Sequence, residues 1–494
     1  MTRNIPASRR GLGMWMATAL VIGNMIGSGV FLLPSSLASY GPISLIAFAF
    51  TAVGAILLAF VFARLGRAYP QTGGPYAYSR RAFGEFIGFQ MAWGYWIAIW
   101  AGNAAIAIAF VGYLAHFWGG ATASTFGSAL IAMAAIWVLT LVNLAGVRQS
   151  GMVQLVTTVL KFVPLVAFAM VGVFFIKSDN LTPFNASSDS FFGAITAAAA
   201  LTLWSFIGLE SATVPAEDVE NPKRTIPRAT IIGTTVTSLL YIVATLAVFG
   251  AVPAASLANS TAPFADAANV IVGGTWSGHV IAFAALVATF GCLNGWILLQ
   301  AQIPMAAARD KLFPRQFGLL SGNGTPWFGL VVSSVLVTGL MAMNYTRGLV
   351  DQFTFVILLA TLTTLVPYAY SAMAQVMLFV TDRASFEGAR FARDTLIAVL
   401  AFTYSMWAIW GAGADVVLKG FVLLMSGIPI YVWMKWRTSG PEAVEPTQGG
   451  ITVESIKVVS IDEPLASSSA APSSSGVHAG SQRSRAPQVV QGMR

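Results

Sequence analysis

Glu210 and Lys161 are charged side chains set deep in otherwise apolar stretches, within LWSFIGLES (203–211) and TTVLKFVP (157–164). A charge in the hydrocarbon of a bilayer costs about 2.5–3.5 kcal/mol on insertion scales, so such a residue points to a proton relay, a substrate contact or an ion site. Two plainer readings stand beside this one. Glu210 would be solvated if it sat at the end of its span, and Lys161 would reach water if it snorkelled. Other chemistry is poorly provided for. Cys292 is the one cysteine, and His116, His279 and His478 show no ligand spacing, so neither a metal nor a cofactor is expected. The apolar stretches hold no nucleophile–base pair, and an enzyme is not expected.

Glycines mark where such groups would gather. In the first apolar stretch, GNMIGSGVF (23–31) puts Gly27 and Gly29 around Ser28. Each glycine weakens a helix by roughly 1 kcal/mol relative to alanine. A helix interrupted there frees backbone groups, and the N-terminus of its second half carries partial positive charge suited to a carboxylate. Close helix packing by small residues is the alternative. Gly208 interrupts the sixth stretch beside Glu210. Asn103, Tyr95, Tyr368 and Trp296 lie within further spans. An amide can bond an amine or guanidinium, and an indole face attracts cations by about 0.5–2 kcal/mol.

The elements that must position these groups are membrane helices. Of the 494 residues 56% are hydrophobic and 9% charged, with a mean hydropathy of +0.73, against roughly 25% charged in a soluble domain. Twelve spans are predicted, at about 12–35, 42–66, 85–117, 124–145, 150–176, 191–215, 229–251, 276–308, 325–344, 351–381, 394–413 and 415–436. With the N-terminus inside, nineteen of the 27 Lys and Arg residues fall in cytoplasmic segments and three (Lys177, Arg347, Lys419) outside. Lys161 lies in a span and the remaining four in the C-terminal segment. That bias supports twelve helices with both termini cytoplasmic. It also accounts for the net charge of +8 without a nucleic-acid partner. Arg9 and Arg10 precede a run too long for a signal peptide, so the first helix is expected to stay. The organisation expected is a cytoplasmic N-terminus (1–11), a twelve-helix domain (12–437) and a Ser/Pro/Gly-rich disordered cytoplasmic tail (438–494). Interruptions in the first and sixth helices, five spans apart, are what a five-plus-five inverted repeat with two added helices would give.

These segments carry a resemblance. GNMIGSGVFLLP (23–34), GGPYAYSRRAFG (73–84), YWIAIWAGN (95–103), LWSFIGLESA (203–212), ENPKRTIPRAT (220–230) and LFP (312–314) are similar to the amino acid–polyamine–organocation superfamily. Within it the chain most resembles the basic amino acid/polyamine antiporters, arginine–agmatine exchangers among them. The resemblance implies an all-α integral membrane protein of the bacterial inner membrane. Its fold would be the LeuT-type inverted repeat with helices 1 and 6 broken at mid-membrane. It implies exchange of a basic amino acid and its decarboxylated amine by alternating access, with a proton response and a possible homodimer. The substrate carboxylate would meet Ser28 and Gly29, and the α-ammonium the carbonyls of Met25, Trp204 and Ile207. The substrate side chain would meet Trp296 and Asn103. Trp204 would also gate the site, and Tyr95, Glu210 and Tyr368 would form a cytoplasmic-side gate. Two positions depart from the arginine–agmatine pattern. Lys161 matches a helix 5 lysine of proton-coupled amino acid transporters, where it stands in for a sodium ion, and Ala360 replaces a polar residue. A proton-coupled symporter of neutral or broad-range amino acids is therefore the alternative, and a non-transporting amino-acid sensor a further one.

Overall fold

The computed structural model describes residues 11–344, 349–386 and 390–438, with backbone alone for 344, 349–355 and 438. The tail expected at 439–494 and nearly all of the expected N-terminal segment lie outside the described residues. Apart from one parallel bridge between Leu12 and Val219, the described residues are helices and turns. In chain order the helices that matter here are α1 (Met14–Met25), α2 (Ser28–Leu37), α3 (Ser44–Ala68), α4 (Pro75–Phe83), α5 (Glu85–Ala115), α6 (Thr125–Ala145), α7 (Val147–Gly172) and α8 (Phe191–Thr202). They are followed by α9 (Pro222–Ala251), α10 (Pro263–Val272), α11 (Trp276–Arg309), α12 (Trp327–Asn344), α13 (Leu349–Thr381), α14 (Phe391–Gly411), α15 (Ala414–Met425) and α16 (Ile428–Thr438).

Ten stretches among the described residues are long and apolar enough to cross a membrane. They are α3, α5, α6, α7, α9, α11, α13 and α14, with α1–α2 and α15–α16 each counted as one. Phe191–Phe206 and Trp327–Met343, at the sixth and ninth expected spans, are apolar but shorter. Two helices were not anticipated. Pro75 starts α4 inside the GGPYAYSRRAFG segment, where a proline suits the first helical turn. Pro263 starts α10 in the same way between two spans.

The distribution of side chains is that of a protein solvated by lipid. Leu239, Val163, Phe283, Met170 and Trp410 stand exposed, whereas Asn24, Asn103, Gln154, Lys161, Glu210 and Gln300 are buried. In water the outward apolar surface would be a liability; beside acyl chains it is matched. The chain is an integral membrane protein. Inside the bundle α5 packs along α11 and α13, α3 along α9, and α1 against α7 and α9. Polar groups are thereby drawn from α1, α5, α7, α11 and α13 toward one interior region.

Candidate functional site

The first apolar stretch is interrupted where its glycines are. α1 ends at Met25, Ile26 turns extended (φ −77°, ψ 94°), and α2 starts at Ser28. The last carbonyls of α1 and the first amides of α2 consequently lack intrahelical partners. The carbonyls find theirs on neighbouring helices. Lys161 Nζ donates to the carbonyls of Gly23 and Ile26, both at 2.7 Å, and to that of Ala288 at 3.4 Å. Trp296 Nε1 donates to the Asn24 carbonyl at 3.1 Å, and Cys292 Sγ reaches the same oxygen at 3.1 Å. Lys161 is fully buried, so it does not snorkel. It sits as a fixed ammonium at the negative end of a half-helix, where a small cation would otherwise be favourable.

The sixth stretch breaks as well. α8 passes into a 3-10 turn at Leu203–Phe206, Ile207 is extended, and Gly208 has φ +116°. Only glycine takes that conformation without strain. It also lets the backbone approach α1, since a β-carbon at Gly208 would lie 3.1 Å from the Asn24 carbonyl carbon. A β-carbon at Gly29 would lie 2.7 Å from Ser205 Cα, so the two interruptions meet backbone to backbone. Trp204 Nε1 closes the contact by donating to Ser28 Oγ at 3.1 Å.

Three of the expected residues form one cluster. The hydroxyls of Tyr95 on α5 and Tyr368 on α13 both donate to the Glu210 carboxylate, and the Gly208 amide donates to it at 3.1 Å. All three side chains are completely buried, so Glu210 is not the solvated end of a span. No cation lies within ion-pair distance of it among the described residues. Asn103 lies on α5 two turns beyond Tyr95. Its Nδ2 donates to Gln300 Oε1 on α11 at 2.8 Å, while its Oδ1 is buried without a partner. A β-carbon at Gly102 would lie 2.9 Å from Trp204 Cη2, which puts that indole beside Asn103. Met25 and Ile207 are buried at the two interruptions.

Several contributors went unread in the sequence. Asn24 is a hub: its Nδ2 donates to Ser211 Oγ at 2.9 Å, and its Oδ1 accepts from Gln154 Nε2 at 3.2 Å. Gln154, Thr158 and Lys161 share one face of α7, at i, i+4 and i+7, and all bond to α1. That helical spacing of polar residues was the available signal. Gln300 has no comparable mark; it is legible only once α5 and α11 are known to pack. At one end of the bundle ion pairs join the helix termini: Arg309–Glu217 at 3.0 Å, Arg80–Asp310 at 3.2 Å and Arg81–Asp382 at 3.1 Å. The Tyr69 hydroxyl, with Ser385 and Arg81, holds the Asp382 carboxyl below the usual carboxylate range.

A bundle of membrane helices, interrupted twice at a buried polar centre, is the arrangement found in membrane carriers. The family profile described as amino acid permease matches residues 12–434, and the chain belongs to that family, within the amino acid–polyamine–organocation superfamily. The cadaverine/lysine antiporter of Escherichia coli K12 is 34% identical to it over 433 residues, which cover 86% of this chain and 95% of that protein. A putative arginine/ornithine antiporter of Bacillus subtilis is 33% identical over 454 residues, covering 85% and 96%. A putrescine transporter of Haemophilus influenzae is 32% identical over 427 residues, covering 86% and 97%.

Proposed function

We propose that this chain exchanges a basic amino acid for its decarboxylated amine across the bacterial inner membrane by alternating access. The observation that carries the cationic specificity is Asn103. Its amide nitrogen is used by Gln300, which leaves a buried acceptor, Oδ1, for an ammonium or guanidinium. Trp296 and Trp204 supply indole faces nearby. The amides at the start of α2, Ser28 and Gly29, would take the α-carboxylate. The carbonyls of Met25, Trp204 and Ile207 would take the α-ammonium, each retaining a free lone pair. The antiporter names of the relatives support the same class of substrate.

In this reading Phe191–Phe206 and Trp327–Met343 complete twelve spans, arranged as a five-plus-five inverted repeat with α14 and α15–α16 outside it. Both termini are cytoplasmic, and residues 438–494 form a cytoplasmic tail. α1–α2, α3, α8 with its following turns, and α9 rock as one bundle. The direct Trp204–Ser28 bond joins the two interruptions, and substrate would replace it with a bridge of its own. A carrier that needs that bridge to reorient exchanges rather than leaks. Tyr95, Glu210 and Tyr368 form the gate toward the cytoplasm and its proton response. The test is uptake of labelled lysine or arginine into proteoliposomes. Uptake only into vesicles preloaded with a basic amino acid or its amine is expected; equal uptake into empty vesicles would overturn exchange.

Lys161 favours a second reading, proton-coupled symport, because its ammonium occupies a place suited to a coupling cation. Under that reading Lys161→Ala abolishes the pH dependence of uptake, and an unchanged pH profile removes it.

A further inference from the structure

A cavity of about 410 Å3 opens at the end of the bundle where the basic loops gather, lined among others by Arg148, Glu217, Asp218, Gln302, Arg309 and Gly324. Its size falls in the range of roughly 300–1,000 Å3 that small-molecule sites occupy. It is separate from the central site. Gln302 lies six residues past Trp296 on α11, roughly 9 Å along the axis at 1.5 Å per residue. Three groups that line it are polar and unpartnered. Gln302 is 2% exposed and its Oε1 is buried with no hydrogen bond. The Asp218 carboxylate, half-buried after the sixth span, has neither a hydrogen bond nor an ion pair among the described residues. The Arg148 guanidinium, in the first turn of α7, likewise has none. Glu217 and Arg309, by contrast, satisfy each other at 3.0 Å.

We propose that this cavity is a second substrate subsite, which takes α-amino acids and rejects α,ω-diamines. Two acceptors that line the cavity, the Asp218 carboxylate and Gln302 Oε1, suit an ammonium; an unpaired guanidinium, Arg148, suits a carboxylate. A diamine presents cations at both ends, so one of them would meet Arg148 unfavourably, while an amino acid satisfies all three groups. Burial, and then the neighbouring Glu217, push Asp218 up to about 6, so its carboxylate is still ionised at neutral pH. On the proposed topology the cavity faces the cytoplasm, and it would favour the amino acid over the amine on that side. The inference rests on the exchange reading above for the identity of the two ligands.

The test is equilibrium binding of labelled lysine and labelled cadaverine to the purified full chain in lipid nanodiscs at neutral pH. Lysine is expected to need two classes of site and cadaverine one. Trp296→Ala should weaken the class the two ligands share. Arg148→Gln and, separately, Gln302→Leu should weaken the lysine-only class at least tenfold and leave the cadaverine isotherm unchanged. Arg148 is exposed, so its variant tests the subsite even if Gln302→Leu fails to fold. A single class for lysine, two classes for both ligands, or a lysine-only class that survives Arg148→Gln would overturn the subsite while leaving exchange intact. Loss of the shared class in the unmodified protein, with neither ligand bound, would instead overturn the exchange reading and the subsite with it.

Discussion

At the scale of single residues, some buried polar atoms have their partners in the protein and others, such as Asn103 Oδ1, do not. Trp296 has spent its N–H on the Asn24 carbonyl, so in the proposed site it would offer a substrate its indole face. Trp296→Ala should therefore weaken a cationic amino acid more than a small neutral one. The differential should be about 0.5–2 kcal/mol, or roughly 2- to 30-fold in inhibition constant measured by competition in exchange assays. Equal loss for both would remove the cation–π argument. Glu210 accepts from two tyrosine hydroxyls and a backbone amide, with no cation within ion-pair distance among the described residues. As the carboxylate of the proposed cytoplasmic gate it would carry the proton response, and Glu210→Gln should then leave exchange nearly independent of pH between 5 and 8 while preserving the fold. An unaltered pH profile would take Glu210 out of the proton response. Much of this cluster was legible only through family resemblance, because Tyr95 and Tyr368 lie 115 and 158 residues from Glu210 and no periodicity connects them. Asn24 was not legible even so. An asparagine in a glycine-rich segment has no period to read, and its four contacts come from α7, α11 and the turns after α8.

At the scale of elements, the interruptions were readable because glycine acts locally, while their mutual packing was not. Gly23, Gly27 and Gly29 mark the end of α1 and the start of α2, and Gly208 marks the second break by its positive φ. That Gly29 faces Ser205 is a property of two elements far apart in sequence. Gly29→Ala would push a methyl to 2.7 Å from Ser205 Cα, an overpacking of about 1–3 kcal/mol. Exchange should fall at least tenfold with membrane insertion intact, and wild-type transport by this variant would show that the two interruptions need not touch. α7 bears the opposite kind of information, a polar stripe of Gln154, Thr158 and Lys161 that serves α1. Lys161→Met would leave the Gly23 and Ile26 carbonyls unpaired at about 1–3 kcal/mol each. The expected result is a melting temperature lowered by several degrees in detergent, together with weakened substrate binding. Helices α4 and α10 escaped the sequence reading for a physical reason. Each is short and lies in a connection between spans, so the hydropathy that reveals a span does not reveal it.

For the whole molecule, composition and charge were the most informative features, because lipid solvation constrains every exterior position at once. The outward apolar side chains and the inward polar ones follow from the same 9% of charged residues that excluded a soluble domain. Basic residues mark several connections between helices; which carboxylates pair with them needed the assembled bundle. Arg309, Arg80 and Arg81 turn out to join the ends of separate helices through Glu217, Asp310 and Asp382. The two short apolar stretches, Phe191–Phe206 and Trp327–Met343, show where hydropathy alone stops, since one is cut by its own break. In the proposed function the two interruptions and the groups around them form one substrate site. That arrangement is tested most directly by an electron cryo-microscopy map of the chain in nanodiscs with saturating lysine. Ligand density is expected between the start of α2 and the turn at Trp204–Ile207, with the carboxylate at the Ser28 and Gly29 amides and the side-chain ammonium at Asn103 Oδ1. A map with Trp204 still bonded to Ser28, no ligand between the interruptions and lysine bound elsewhere in the bundle would contradict it.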